Sequence, residues 1–220
     1  MHLFMHQVLK LVQILQAIFP LFFDCFRMVR VFFDTETSGL PAKFGAPADD
    51  LGAWDTARLV QLSWIIDQDG EEIGFCDLIV KPEGFTIPEE ASKVHGITTE
   101  MALEKGVSCK QAVYAFLGAA RLADELVGHN VEFDMGVVGA ELVRHWKKNY
   151  LEGMRTRDTM KESVEFCRIE KASGRGYKWP KLMELYGKLF GRMFDDAHNS
   201  LADVTATREC FWELTRKGVM

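Results

Sequence analysis

The chain has 220 residues, 48% of them hydrophobic and 26% charged, with a formal net charge of −6. That is the balance of a globular protein long enough to bury one large core, and it excludes a bulk-basic nucleic-acid binder, though not a nucleic-acid substrate met through local patches or bound cations. Five cysteines (Cys25, Cys76, Cys109, Cys167 and Cys210) are widely spaced and form no CxxC pair, which argues against a zinc knuckle or disulfide framework and for a reducing cytoplasm.

From Leu3 to Phe23 the chain is nearly all apolar, interrupted by His6, Gln7, Lys10, Gln13 and Gln16 about every three positions. In a helix these would share one side. The interruptions are too many for a membrane span, and a signal peptide would need a basic start and a small-residue cleavage site. Three readings stand: an amphipathic helix on a membrane or partner, a helix docked on the domain, or an artefact of start-site choice. The last is favoured, because Met28 stands just before a strand that opens the fold. Residues 1–27 are therefore read as an extension and 28–220 as one domain.

Val29 to Phe33 is a short apolar, β-branched and aromatic run, a buried strand. Residues 38–57, rich in glycine, proline and small polar residues, read as a loop. Leu59 to Ile66 and Glu71 to Val80 are strand-like, and Asp67-Gln68-Asp69-Gly70 joins them as a hairpin turn. Helical patterns follow: a short one from Pro88 to Val94, and one capped by Ser108 running to about Leu122. Glu125 to Gly128 reads as a strand, and Glu132 to Lys148 as a long helix with Met135, Val138, Leu142 and Trp146 on its apolar face. An extended piece near Met154 to Thr156 precedes a helix from about Thr159. Lys171 to Lys178 is a glycine-rich basic loop. Pro180 opens the next helix, and a last helix covers about Ser200 to Arg216. An antiparallel meander followed by alternating strands and helices predicts an α/β fold with a mixed sheet covered by helices.

Three segments carry candidate chemistry. Asp34 and Glu36 stand two apart at the end of the first strand, so both carboxylates share a face. Crowded like charges repel, and a divalent cation with a taste for hard oxygen ligands, Mg²⁺ or Mn²⁺, removes that objection; alone, the pair is equally a solvated strand end. His129-Asn130-Val131-Glu132-Phe133-Asp134 lies where a strand turns into a helix, a common place for sites, although Asp134 there also suits the helix dipole and His129 alone suits a structural role. Asp195 to Asp203 places His198 just before the last helix and Asp203 inside it, with Asn199 or Ser200 as the cap.

Taken together, Asp-x-Glu, His-Asn-x-x-Phe-Asp and His-x-x-x-x-Asp form an ordered set. From about Met28 to Gly218 the chain resembles the DEDDh exonucleases, the family of the proofreading subunit of bacterial DNA polymerase III and of ribonuclease T. Asp34-Thr35-Glu36-Thr37-Ser38-Gly39-Leu40 is close to the family's first motif, with Ser38 where threonine is commoner. Val94-His95-Gly96-Ile97-Thr98 resembles its His-Gly-Ile-Thr segment, which packs against the terminal nucleotide.

The resemblance implies a ribonuclease H-like fold with a central mixed five-stranded sheet, and a metal-dependent 3′–5′ exonuclease releasing nucleoside 5′-monophosphates. It implies Asp34, Glu36, Asp134 and Asp203 as ligands of two Mg²⁺ or Mn²⁺ ions, with Asp34 bridging them. His198, whose ordinary pKa of about 6.5 suits proton removal near neutrality, is the general base. Two cations roughly 4 Å apart serve both the attacking and the leaving oxygen. Thr35, Thr37, Leu40, His95, Ile97, Asn130, Phe133 and His198 are the expected substrate contacts, core packing being the plainer account of Leu40 and Phe133. Lys171, Arg175, Lys178 and Lys181, interleaved with Tyr177 and Trp179, hold a backbone and stack a base, or form a solvated loop.

The expected partner is a single-stranded 3′ end, DNA first and RNA as the alternative, since spacing says nothing of the 2′-hydroxyl. A non-catalytic nucleic-acid-binding module would lack one of the acids, and none is missing. A membrane role would rest on residues 1–24 alone. No polymerase-binding tail is seen.

Overall fold

The computed structural model describes residues 27–195 and 199–220. The extension read over 1–27 thus lies outside the described residues apart from Arg27. Five strands, β1 (Val29–Thr37), β2 (Leu59–Gln68), β3 (Glu71–Ile79), β4 (Glu125–Gly128) and β5 (Thr156–Asp158), form one sheet in the order β3-β2-β1-β4-β5. β1, β2 and β3 pair antiparallel, while β1–β4 and β4–β5 are parallel. This is the mixed α/β sheet expected from the order of elements and the ribonuclease H-like fold implied by the resemblance.

β1 runs four residues past the apolar run because its polar end stays in register with β2: Asp34 faces Ser63 and Glu36 faces Gln61. The hairpin turn shrinks to Asp69 and Gly70, whose φ of 53° and 96° are both positive. Two left-handed central residues match the right-handed strand twist, which is why an Asp-Gly pair sits there.

Eight helices accompany the strands among the described residues: α1 (Glu89–His95), α2 (Thr99–Lys105), α3 (Cys109–Ala120), α4 (Val131–Trp146), α5 (Thr159–Glu162), α6 (Val164–Cys167), α7 (Leu182–Phe190) and α8 (Ser200–Arg216). Three differ from expectation. α2 was unforeseen; the Thr98 hydroxyl caps it by accepting from the Met101 N–H. The helix expected from Thr159 breaks at Ser163, whose hydroxyl donates back to the Thr159 carbonyl at 2.6 Å and competes with the helix ladder. Pro180 precedes α7 instead of opening it, and its carbonyl accepts from His129 Nε2 at 2.9 Å.

Alternation along β1 divides the core. Val31 and Phe33 point to one face and pack with Phe116 of α3 and with Val138 and Leu142 of α4. Phe32 points to the other and meets Phe211 of α8 edge-on, with Ile65, Val127 and Val204 around it. The sheet is therefore sandwiched between α3–α4 and α8, the three-layer solution for a two-sided apolar sheet. The four cysteines among the described residues are free thiols. No described helix is long and apolar enough to cross a membrane.

Candidate active site

The polar end of β1 is where the layers meet. Asp34 and Glu36 follow Phe32 on the α8 face of the strand. Asn199 caps α8 by accepting from the Leu201 and Ala202 N–H groups. Ser200 is fully buried, and its hydroxyl donates to the Asp34 carbonyl at 2.8 Å. That bond fixes the start of α8 against β1 and swings Asp203, in the first turn, over the two strand carboxylates. Ligand oxygens of Asp34, Glu36 and Asp203 all lie within 4.8 Å of one another.

Asp134 reaches the same point from the other layer. It lies in the first turn of α4, 3% exposed. Its Oδ1 accepts from the Thr35 N–H at 3.0 Å and from the Thr35 hydroxyl at 2.6 Å. Thr35 is thus buried under the site and grips a carboxylate; it does not face open solvent.

The electrostatics are those of an under-neutralised cluster. Asp34 is held well above the usual carboxylate range, by burial first and then by Asp134, Asp203 and Glu36. Burial, then Asp203 and Asp134, raises Glu36 from 4.5 to about 8. Asp134 is raised to about 7 by burial, against the pull of its two Thr35 hydrogen bonds. Carboxylates gathered at such cost mark a place built for positive charge. Hard oxygen donors at this spacing fit a divalent cation such as Mg²⁺ or Mn²⁺.

A cleft of about 450 Å³ opens beside the acids. Thr35, Glu36, Thr37, Leu40, His95 and Phe133 line it. Leu40 is 66% exposed, a large apolar side chain left in water at its mouth. Thr37 donates its hydroxyl to the Gly39 carbonyl at 2.7 Å and shapes the turn that presents Leu40. His95, at the end of α1, is buried; Nδ1 accepts from the Ile97 N–H while Nε2 has no hydrogen-bond partner among the described residues. Burial pushes this imidazole below its ordinary value, opposed in part by the Thr37 backbone.

Ile97 packs instead among Val60, Ile87 and Ala102, and is not on the cleft wall. Asn130 stands at the start of α4 with φ 78°, its N–H donating to Asp158 Oδ1 at 3.0 Å. His198 lies outside the described residues. His129 is structural: Nε2 can only donate to the Pro180 carbonyl, so Nδ1 is left to face the Thr159 hydroxyl at 2.9 Å.

Sequence reasoning missed the parts that support the acids. Asp158 Oδ1 gathers the N–H groups of Asn130, Met160 and Lys161, holding the β4–α4 and β5–α5 turns together. The basic loop contributes less free charge than its composition suggests, since Lys178 is bound to Glu184 at 2.6 Å. A second group of close metal-type ligands, Cys109, Glu141 and His145, is differently disposed. Glu141 is already taken by Arg58 at 2.7 Å and Arg144 at 3.0 Å, and burial and Glu141 push the Cys109 thiol up, away from the thiolate a metal would want.

Comparison with known proteins agrees with this geometry. The chain is 27% identical over 184 residues to the "Uncharacterized exonuclease CP81" of Escherichia phage 186, spanning 81% of this chain and 84% of that protein. It is 23% identical over 177 residues to the PolC-type DNA polymerase III of Pediococcus pentosaceus, covering 80% of this chain but 11% of the polymerase. Among solved structures, Escherichia coli exonuclease I in complex with a dT13 oligonucleotide superimposes with a TM-score of 0.67 at 21% identity, over 86% of this chain and 41% of that one. The chain therefore spans about two fifths of exonuclease I, and that likeness is one of fold. The RNase_T family model, described as "Exonuclease", matches residues 31–211. Matched over most of its length and carrying the acids at the sheet's end, the chain belongs to this exonuclease family and is a nuclease.

Proposed function

We propose that the chain is a 3′–5′ exonuclease that removes nucleotides one at a time from single-stranded nucleic acid, DNA foremost, releasing nucleoside 5′-monophosphates. The observation that carries the reading is the convergence of Asp34, Glu36 and Asp203, with Asp134 beside them, at the rim of a cleft with an apolar wall. A strand end fits that arrangement: its terminal nucleoside has an apolar face for Leu40 and Phe133, and its phosphate would lie toward the acids. The relative bound to dT13 is a single-strand complex, which favours the same substrate here.

Asp34, Glu36, Asp134 and Asp203 would hold two Mg²⁺ or Mn²⁺ ions, which when bound supply charge neutralisation and Lewis acidity at the scissile phosphate. The remaining work falls to side chains. Thr35 fixes Asp134 through two hydrogen bonds, and Ser200 fixes Asp34 through its carbonyl. Thr37, Leu40, His95, Asn130 and Phe133 orient the terminal nucleotide. His198 takes the proton of the attacking water, and the cleaved bond leaves a 3′-hydroxyl on the shortened strand.

The test is digestion of end-labelled single-stranded DNA and RNA, with Mg²⁺ and with chelator, beside an Asp34→Asn control. Stepwise loss of 3′ nucleotides from DNA, abolished by chelator and by the substitution, is expected. Faster digestion of RNA would reassign the substrate, and cleavage that survives Asp34→Asn would remove the acids from the mechanism.

A further inference from the structure

A second cleft, of about 270 Å³, shares Phe133 with the first. Its walls come from three separate segments: Phe44 from the loop after β1, Trp179 from the loop before α7, and Lys161 from α5. Phe44 is 64% and Trp179 62% exposed. Beneath them Trp54 is buried, its ring 6.3 Å from that of Phe133. Two large aromatic side chains from distant loops thus stand in water around one opening and make no contribution to the core. Leaving such area wet costs stability, so a shared opening of this kind points to a ligand.

Charge narrows the ligand. Lys161 Nζ is 6.0 Å from the Trp179 ring centre and is already paired with Glu132 at 2.6 Å. It steadies the indole and offers little free positive charge to a phosphate. The cleft is smaller than the ~300–1,000 Å³ of pockets for drug-sized ligands. Its fit is a single planar ring, held by stacking.

Resting on the exonuclease reading, we propose that this second cleft receives the penultimate base of the strand whose 3′-terminal nucleotide occupies the first. Phe133 is then the partition between two successive nucleosides. Contact through π-faces is indifferent to base identity, so the subsite grips any sequence while the strand shortens by one and the next base moves in. Its contribution falls on substrate binding, away from the reacting phosphate.

The experiment compares release of the first nucleotide from two single-stranded DNAs, one intact and one with an abasic residue at the penultimate position. For the wild type, removing that base is expected to raise KM about tenfold, the usual worth of one stacked base. Trp179→Ala should raise KM about tenfold on the intact strand and less than twofold further on the abasic one, and Trp179→Phe should recover most of the loss. Non-additivity of this kind is the mark of a direct contact. If Trp179→Ala raises KM equally on both strands, or the wild type handles both with one KM, the subsite is refuted and the exonuclease reading stands. A wild type that releases nothing from either strand overturns the exonuclease reading and the subsite with it.

Discussion

Glutamine in place of Glu36 should make the cation-free protein more stable while removing its activity. Glu36 has a folded pKa of about 8 against an ordinary 4.5, because burial and the nearby Asp203 and Asp134 oppose its charge. The folded state therefore holds the proton more tightly than the unfolded chain. The associated stability is full below about pH 4 and is lost as pH rises toward 8. At about 1.4 kcal/mol per unit, a lone group with this shift would cost on the order of 5 kcal/mol at pH 8. The carboxylates share their protons, so ionisation of one is relieved by protonation of another, and about 2 kcal/mol is the working figure for one member. For a domain of this size that is about 4–8 °C in Tm. Thermal melts in chelator at pH 5 and pH 8 measure it. Glu36→Gln should melt higher than wild type at pH 8 and nearly level with it at pH 5, and added Mn²⁺ should raise the wild type more than the variant. Equal gains at both pH values, or none at pH 8, would show that charge crowding is not what strains this site.

His198→Ala is expected to lose most turnover while keeping the Mn²⁺-dependent rise in Tm; full turnover in the variant would end the proton-transfer role. Gly136→Ala tests the packing behind the cleft. A Cβ there would stand 2.2 Å from the Trp54 ring, which is buried and tied by its indole N–H to the Pro47 carbonyl at 3.2 Å. Overpacking of that kind costs roughly 1–3 kcal/mol, so Tm should fall by about 2–10 °C and KM should rise with the displacement of Phe133. An unchanged Tm would mean that Trp54 has room to move.

The parts of the site that depend on local periodicity were legible from sequence. Alternation along Val29–Thr37 is enough to put Asp34 and Glu36 on one face, and the Asp-Gly turn is enough to fold β2 onto β3. What periodicity does not carry is distance. Nothing in the residues around Asp203 says that it meets Asp34; the resemblance supplied that, and the structure supplies the reason in the bond from Ser200 to the Asp34 carbonyl. Thr35 shows the same limit. Its place in the first motif suggested a substrate contact, whereas its side chain, on the opposite face from its neighbours, turns inward to Asp134. α2 escaped notice because its seven residues carry no clear apolar period and its cap, Thr98, was read as the end of the His-Gly-Ile-Thr segment. Pro180 misled for a related reason: proline suits a first helical turn, but here its free carbonyl is needed by His129.

The bond that anchors α8 has a bearing on when the protein can act. Asp34 is laid down in the first strand of the sheet, whereas Asp203 comes from the helix that closes the opposite layer. An intermediate with β1 to β5 already paired but α8 still undocked would possess two acids on a strand end and a third on α4, with the fourth elsewhere. It would bind cations poorly and cut nothing. Contacts that span so much chain form late, after closure of the intervening loops. Nuclease activity is thereby withheld from half-folded molecules, and any stress that peels α8 away disarms the enzyme before it unfolds the sheet.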